Sequence, residues 1–188
     1  NLLLYEFGKT YSTTEKYAYT EKEKFCVYIS GALNNNNWKY KAVAADFFYA
    51  KGIADMLLEL CGAKKIMYEE AIDSAAGKEH GIKQGRHTLG RIVQVSGSYL
   101  NKFDIKQPVY FIELEFSNLL TAASATKVEF TEIPRFPVVQ RDLAFVAGKD
   151  ISFDKVLQSL KKLNISKLEQ ARLFDVFESD KLGAGKKS

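Results

Sequence analysis

The alternation in "PVYFIELEF" (108–116) constrains the fold of this chain more than any other stretch. Tyr110, Ile112, Leu114 and Phe116 fall on one side of an extended backbone, and Val109, Phe111, Glu113 and Glu115 on the other. One apolar face against one that turns acidic is the pattern of a half-buried strand in an antiparallel sheet. A strand covered on both sides would be apolar throughout. A 3.6-residue period then appears in "ADFFYAKGIADMLLELCG", where Phe47, Ala50, Ile53, Ala54, Leu57 and Leu60 or Cys61 recur on one face. Asp46 fits its N-cap and Gly62 its C-terminal stop. "LLLYEFGKTYS", "KFCVYISGAL", "KKIMYEEAI" and "HTLGRIVQVS" read as strands, rich in aromatic and β-branched residues. "NNNNWKYK" and "DSAAGKEHGIKQG" read as loops, and "SYLNKFDI" as one or two helical turns. Strands outnumber helices and rarely alternate with them, so the class is α+β rather than doubly wound.

At 188 residues, 46% apolar and 27% charged, the chain suits one large or two small domains with a real core. No apolar run approaches the roughly 18–20 residues of a membrane span, and no signal-peptide pattern opens the chain. The start at Asn1, directly in an apolar run, reads as a piece cut at both ends. Cys26 and Cys61 lack CxxC spacing and read as two buried thiols in a reducing cytoplasm. The net charge of +4 is uneven: residues 1–134 hold 16 basic and 16 acidic side chains, and residues 135–188 hold 11 and 7. A neutral body with a basic final segment suggests two units, the second facing a polyanion.

Nothing in the body reads as an active site. His80 and His87 lie seven apart with no third ligand at metal-site spacing. Glu69 and Glu70 point to opposite faces of a strand, and Glu113 and Glu115 read as a solvated strand face. "LGAGKKS" fails the phosphate-loop spacing, with Asp180 where the first Gly belongs and Lys187 where Ser or Thr belongs. The expectation is no catalytic residue and no metal ligand.

The final stretch carries a more specific signal. "RFPVVQRDLAFV", a helical segment from Ser152 to about Leu163, and "ARLFDVFESDKLGAGKKS" resemble the start of a family domain. It is the ferredoxin-fold anticodon-binding domain that ends the β subunit of bacterial phenylalanyl-tRNA synthetases. The matching residues are Phe136, Pro137, Arg141, Asp142, Leu143 and Ala144, then Leu173, Phe174, Asp175, Val176 and Phe177, then Gly185, Lys186, Lys187 and Ser188. Phe177 stands where the family usually has Tyr. The body agrees in order: "LLLYEFGKTYS", "VYISGAL", "ADFFYAKGIADMLLEL" and "PVYFIELEFSNLL" resemble successive family elements. The stretch 73–107 matches least, and its "HTLGRIVQVSGS" has Gly90 and Arg91 but not the phosphate-gripping arrangement of a working class II core.

The resemblance implies a catalytic-like but inactive class II synthetase domain of the β subunit over residues 1–128, a linker over 129–134, and the N-terminal half of a ferredoxin-fold anticodon-binding domain over 135–188. That last segment would be a truncated βαβ from a βαββαβ unit, the chain being a C-terminal piece of the subunit. By period 2, Phe174 and Val176 should meet the helix, through Phe153, Val156, Leu157 and Leu160, and leave Asp175 on the open side. By resemblance Asp175 and Ser188 contact the first anticodon base. An Asp that accepts from guanine's Watson–Crick edge is chemically sensible. Arg172, Lys181, Lys186 and Lys187 are phosphate candidates. The implied function is a non-catalytic part of an ATP-dependent aminoacyl-tRNA ligase acting on tRNA(Phe), in a cytoplasmic (αβ)₂ heterotetramer with the synthetase α subunit. ATP and Mg²⁺ would serve the holoenzyme, and this chain would bind neither. The competing reading is a free-standing non-catalytic RNA-binding or scaffold protein built on the same modules.

Overall fold

Two long strands open the chain, β1 (Leu2–Glu15) and β2 (Ala18–Ser30), paired antiparallel from Leu2↔Ser30 to Glu15↔Ala18. α1 (Phe47–Leu60) follows, then β3 (Ile66–Tyr68), β4 (Ile72–Ser74), β5 (Gly77–Gln84), β6 (His87–Val95), the short α2 (Gly97–Lys102), β7 (Val109–Glu115) and α3 (Phe116–Ser124). The strands form one antiparallel sheet in the order β1-β2-β7-β6-β5-β3, with β4 paired to β5. The computed structural model describes residues 1–15, 18–69, 71–124, 130, 132–133 and 135–188. It divides into two units, Asn1–Phe130 and Thr131–Ser188. Glu70 and half of the expected 129–134 linker (129, 131 and 134) lie outside the described residues.

The alternation in β7 is realised residue by residue: Tyr110, Ile112 and Leu114 are buried, and the residues between them only half-buried. That side of the sheet is covered by α1, across β6 and β7, and by α3, across β2, β6 and β7. The core joins Val27, Ile29, Ile82, Ile92, Ile112 and Leu114 of the strands to Ala50, Ala54, Leu58 and Leu119 of the helices. α1 begins where the Asp46 carboxylate accepts from the Tyr49 amide at 2.8 Å, capping an orphan donor. It ends at Gly62, whose φ of 73° lets the chain turn away. The row that meets the sheet is Ala50–Ala54–Leu58, spaced by four, so Leu58 is buried while Leu60 of the expected stripe points to solvent.

Residues 77–84, expected as loop, form β5. Its only fully buried large apolar residue is Ile82, and its glycines weaken the strand signal. At Gly81 a Cβ would lie 2.3 Å from a Glu69 carboxylate oxygen, the end of a flexible side chain that can swing aside. A two-residue turn, Gly85-Arg86, joins β5 to β6, with φ of 58° at Gly85. The β1–β2 hairpin extends beyond β7, which pairs only with Lys24–Ser30. α3 is an element that the sequence reading did not separate from the end of β7.

In the second unit, α4 (Phe153–Lys162) forms as expected. It is capped by Ser152, and Phe153, Val156, Leu157 and Leu160 are its half-buried face. The flanking strands do not form as expected. Residues 135–146 and 171–179 have no strand, and pairing is confined to β8 (Ala147–Gly148) with β9 (Lys186–Lys187). Phe174 is 69% exposed and Val176 49%, against 53% for Leu173 and 56% for Phe177, so the face expected to meet the helix is as open as the other. A strand is a ladder of hydrogen bonds, and among the described residues neither segment has one; within 171–179 a single residue, Phe177, exchanges a pair of backbone bonds, with Ser188. So short a ribbon beside one helix has too little sheet to hold longer strands.

Candidate nucleic-acid interface

The carboxyl-terminal residues close a small loop on themselves. The Phe177 amide donates to the Ser188 carbonyl at 2.7 Å, and the Ser188 amide to the Phe177 carbonyl at 2.8 Å. Below this pair a 3₁₀ turn, Asp180–Leu182, leads into Gly183 and Gly185. Their φ values of 90° and 73° reverse the chain into β9. The Lys149 amide donates to the Gly185 carbonyl at 2.9 Å, and the Lys149 ammonium pairs with Glu178. Lys149, Glu178, Ser179, Gly183, Ala184, Gly185 and Lys186 line an open cleft of about 340 Å³.

The candidate residues are not equivalent. Asp175 and Arg172 are exposed, and neither makes a hydrogen bond or ion pair among the described residues. Lys186 is also exposed, its ammonium without a partner among the described residues. The Lys187 ammonium instead donates to the Lys149 carbonyl at 3.0 Å, which fixes the loop. Lys181 is exposed on the 3₁₀ turn. Ser188 is half-buried, its backbone tied to Phe177, two residues beyond Asp175.

The first unit presents the other candidate surface, the face of the sheet away from α1 and α3. Lys24 on β2 reaches Glu113 at 3.2 Å and Glu115 at 2.9 Å on β7. Arg91 on β6 reaches Glu79 on β5 at 3.0 Å and Glu113 at 3.3 Å, and Lys22 reaches Glu115 at 3.8 Å. Glu113 and Glu115 are therefore not a solvated face. Three carboxylates and three cations balance each other, with Lys24, Glu79, Glu113 and Glu115 all partly buried. Burial acts against the Lys24 ammonium, but Glu115 and Glu113 outweigh it and raise its pKa. The same contest, with Glu113 and Glu79, raises that of Arg91. Burial, aided by the Glu113 charge, pushes the half-buried Cys26 thiol up, so it is a poor nucleophile. Sequence reading missed Lys24 and Glu79. The signal was cross-strand pairing, Lys24↔Glu115 and Arg91↔Glu113, which needs the register.

This face does not fit ATP. Its arginine and its most buried lysine are already held by carboxylates, and a triphosphate would have to displace them. His80 is engaged as well, its ring 4.2 Å from that of Phe47 and its Nδ1 3.2 Å from the Glu69 carbonyl. Among the described residues no group of three or more His, Cys, Asp and Glu is placed to hold a metal. Nor is any helix there long and apolar enough to cross a membrane.

Comparison with known proteins follows the same division of the chain. Residues 1–116 match the family described as phenylalanyl tRNA synthetase beta chain CLM domain, and residues 134–188 the ferredoxin-fold anticodon binding domain. Phenylalanine–tRNA ligase β subunits are similar along the whole chain: 33% identical in Dehalococcoides mccartyi strain CBDB1 and in Geobacillus kaustophilus, and 32% in Porphyromonas gingivalis. The chain spans about a quarter of the length of these relatives, 23–24%. The crystal structure of pyrrolysyl-tRNA synthetase from Desulfitobacterium hafniense overlays 66% of this chain and 42% of its own, at 15% identity and a TM-score of 0.46. An overlay that loose carries no argument about fold.

Proposed function

We propose, from the premise that this chain belongs to the phenylalanyl-tRNA synthetase β-chain family, that it is a non-catalytic part of a phenylalanine–tRNA ligase. In this reading the first unit is a class II synthetase-like domain without the chemistry, packing against a catalytic α subunit in an (αβ)₂ assembly. The second unit contributes to anticodon binding on tRNA(Phe). ATP and Mg²⁺ act elsewhere in the assembly, and the setting is cytoplasmic. The observation that carries the reading is the pair of family matches, in order, on a chain whose open sheet face has its cations neutralised.

Asp175 is the base-reading group, an uncommitted carboxylate that can accept from a guanine edge. Ser188 is the second base contact, its backbone tied to Phe177, two residues on from Asp175. Lys186 and Arg172 meet phosphates, and Lys187 chiefly holds the loop that presents Lys186.

Two measurements test the division of labour. The chain alone should show no phenylalanine-dependent pyrophosphate exchange with ATP, because Arg91 and Lys24 on the sheet face are already held by carboxylates. Exchange that survives removal of host synthetase would overturn the non-catalytic assignment. The packing surface should include α1, where Phe48 is 75% exposed and Tyr49 37%, off the buried row. Amides at the start of α1 should exchange more slowly once α subunit is added. Unchanged exchange with α bound would move the interface elsewhere.

A further inference from the structure

We propose that loop 33–43 of the first unit is a second RNA contact, stacking an unpaired base on Trp38 and setting Lys39 and Lys41 against the flanking phosphates. The inference rests on the RNA-binding reading above but uses a different site. The polar run there is not structureless. Leu33 donates to the Val43 carbonyl at 2.8 Å, and the Asn34 side chain accepts from the Val43 amide at 2.8 Å. The Asn37 side chain accepts from the amides of Lys39 and Tyr40 at 2.9 and 2.8 Å, and an Ala32↔Ala44 bridge closes the base. Two of the four asparagines thus fix the backbone that presents the tip.

At that tip Trp38 is 95% exposed and Tyr40 57%. The Lys39 ammonium lies 5.2 Å from the Tyr40 ring centroid. No Asp or Glu occurs from Gly31 to Ala45, so the loop is locally cationic. Aromatic rings interleaved with cations on a preorganised loop are what single-stranded nucleic acid needs. Bases stack regardless of sequence, and the phosphates find charge. The loop's exposed aliphatics, Leu33 and Val43, sit at its closed base, where they pair with each other, whereas its tip carries only aromatic, cationic and amide side chains. Charge complementarity therefore favours RNA over a protein partner at the loop.

Trp38 is the only tryptophan in the chain, so its emission reports on this site directly. Titrating the 188-residue chain with an oligoadenylate of about a dozen nucleotides should quench that emission saturably. With labelled oligonucleotide, Trp38→Ala should weaken binding about 5- to 100-fold, and Trp38→Phe should restore most of it. Lys39→Gln with Lys41→Gln should lower the slope of log affinity against log salt by about 1.4. If Trp38→Ala leaves oligonucleotide and tRNA affinity unchanged while Lys186→Ala weakens both, the loop is not a contact and the RNA-binding reading survives. Emission that responds to α subunit and not to RNA would make the loop a protein interface and overturn the inference. If neither RNA binds the chain at low salt, both readings fall.

Discussion

Gly90→Ala is expected to lower the melting temperature of the first unit by roughly 10 °C, and Gly52→Ala to raise it by a few degrees. The same added methyl group has opposite consequences because of what it meets. Gly90 on β6 faces Leu114 of β7 beneath the helix layer. A Cβ there would lie 2.1 Å from the Glu113 carbonyl oxygen and 2.9 Å from the Leu114 Cα. Both are backbone atoms, so two central strands must part. Beside this site the register shifts, from Ile82↔Gly90 to Lys83↔Thr88, a bulge next to the close approach that glycine permits. Overpacking a core costs about 1–3 kcal/mol when side chains can move aside, and a backbone clash belongs at or above the top of that range. Gly52 lies mid-way along α1, exposed, with nothing within 4 Å of a Cβ. Alanine there gains about 1 kcal/mol of helix propensity. Thermal unfolding of both variants checks the contrast. A Gly90→Ala chain that melts with its parent would mean that β6 and β7 do not approach this closely.

The reading from sequence was strongest where burial imposes a period. β7 and α1 each face one apolar core, so alternation and the 3.6-residue repeat were written into 109–115 and 47–60. It was weakest where a strand is held by its neighbours rather than by its own side chains. β5 carries one large core residue, Ile82, and the space left by Gly81 and Gly77, so nothing local marks it as a strand. The charge network was hidden for the same reason. Lys24, Glu79, Arg91 and Glu113 lie far apart in sequence and meet only through strand order. In the second unit the difficulty is reversed. The motif around Asp175 stands out in sequence, yet residues 171–179 form no ladder among the described residues. Recognition of that segment came from residue identity, whereas its strand geometry depends on sheet partners.

That separation of identity from geometry bears most heavily on Asp175, and in the α-containing complex Asp175→Ala should weaken tRNA(Phe) binding roughly 10- to 100-fold. Asp175 is exposed and has no partner among the described residues, so the substitution leaves no buried group stranded and should not cost folding. The loss would instead be a charge-assisted hydrogen bond to one base edge, which is specific by nature. Anticodon-swapped tRNAs should therefore bind the variant and its parent alike, and discrimination should collapse towards the level of the swapped tRNAs. Lys186→Ala should behave differently. In the proposed reading its ammonium, without a partner among the described residues, meets phosphate, so every tRNA should weaken similarly and the salt slope should fall by about 0.7. Lys187→Ala should act through the loop, because its ammonium holds the Lys149 carbonyl. Its effect on affinity should then come with a loss of order around Gly183–Gly185 rather than with a change in salt slope alone. Binding measured against salt for the three variants, with parent and swapped anticodons, separates these roles. If Asp175→Ala keeps full discrimination for the guanine-bearing anticodon, Asp175 is a surface carboxylate and the base is read by another group.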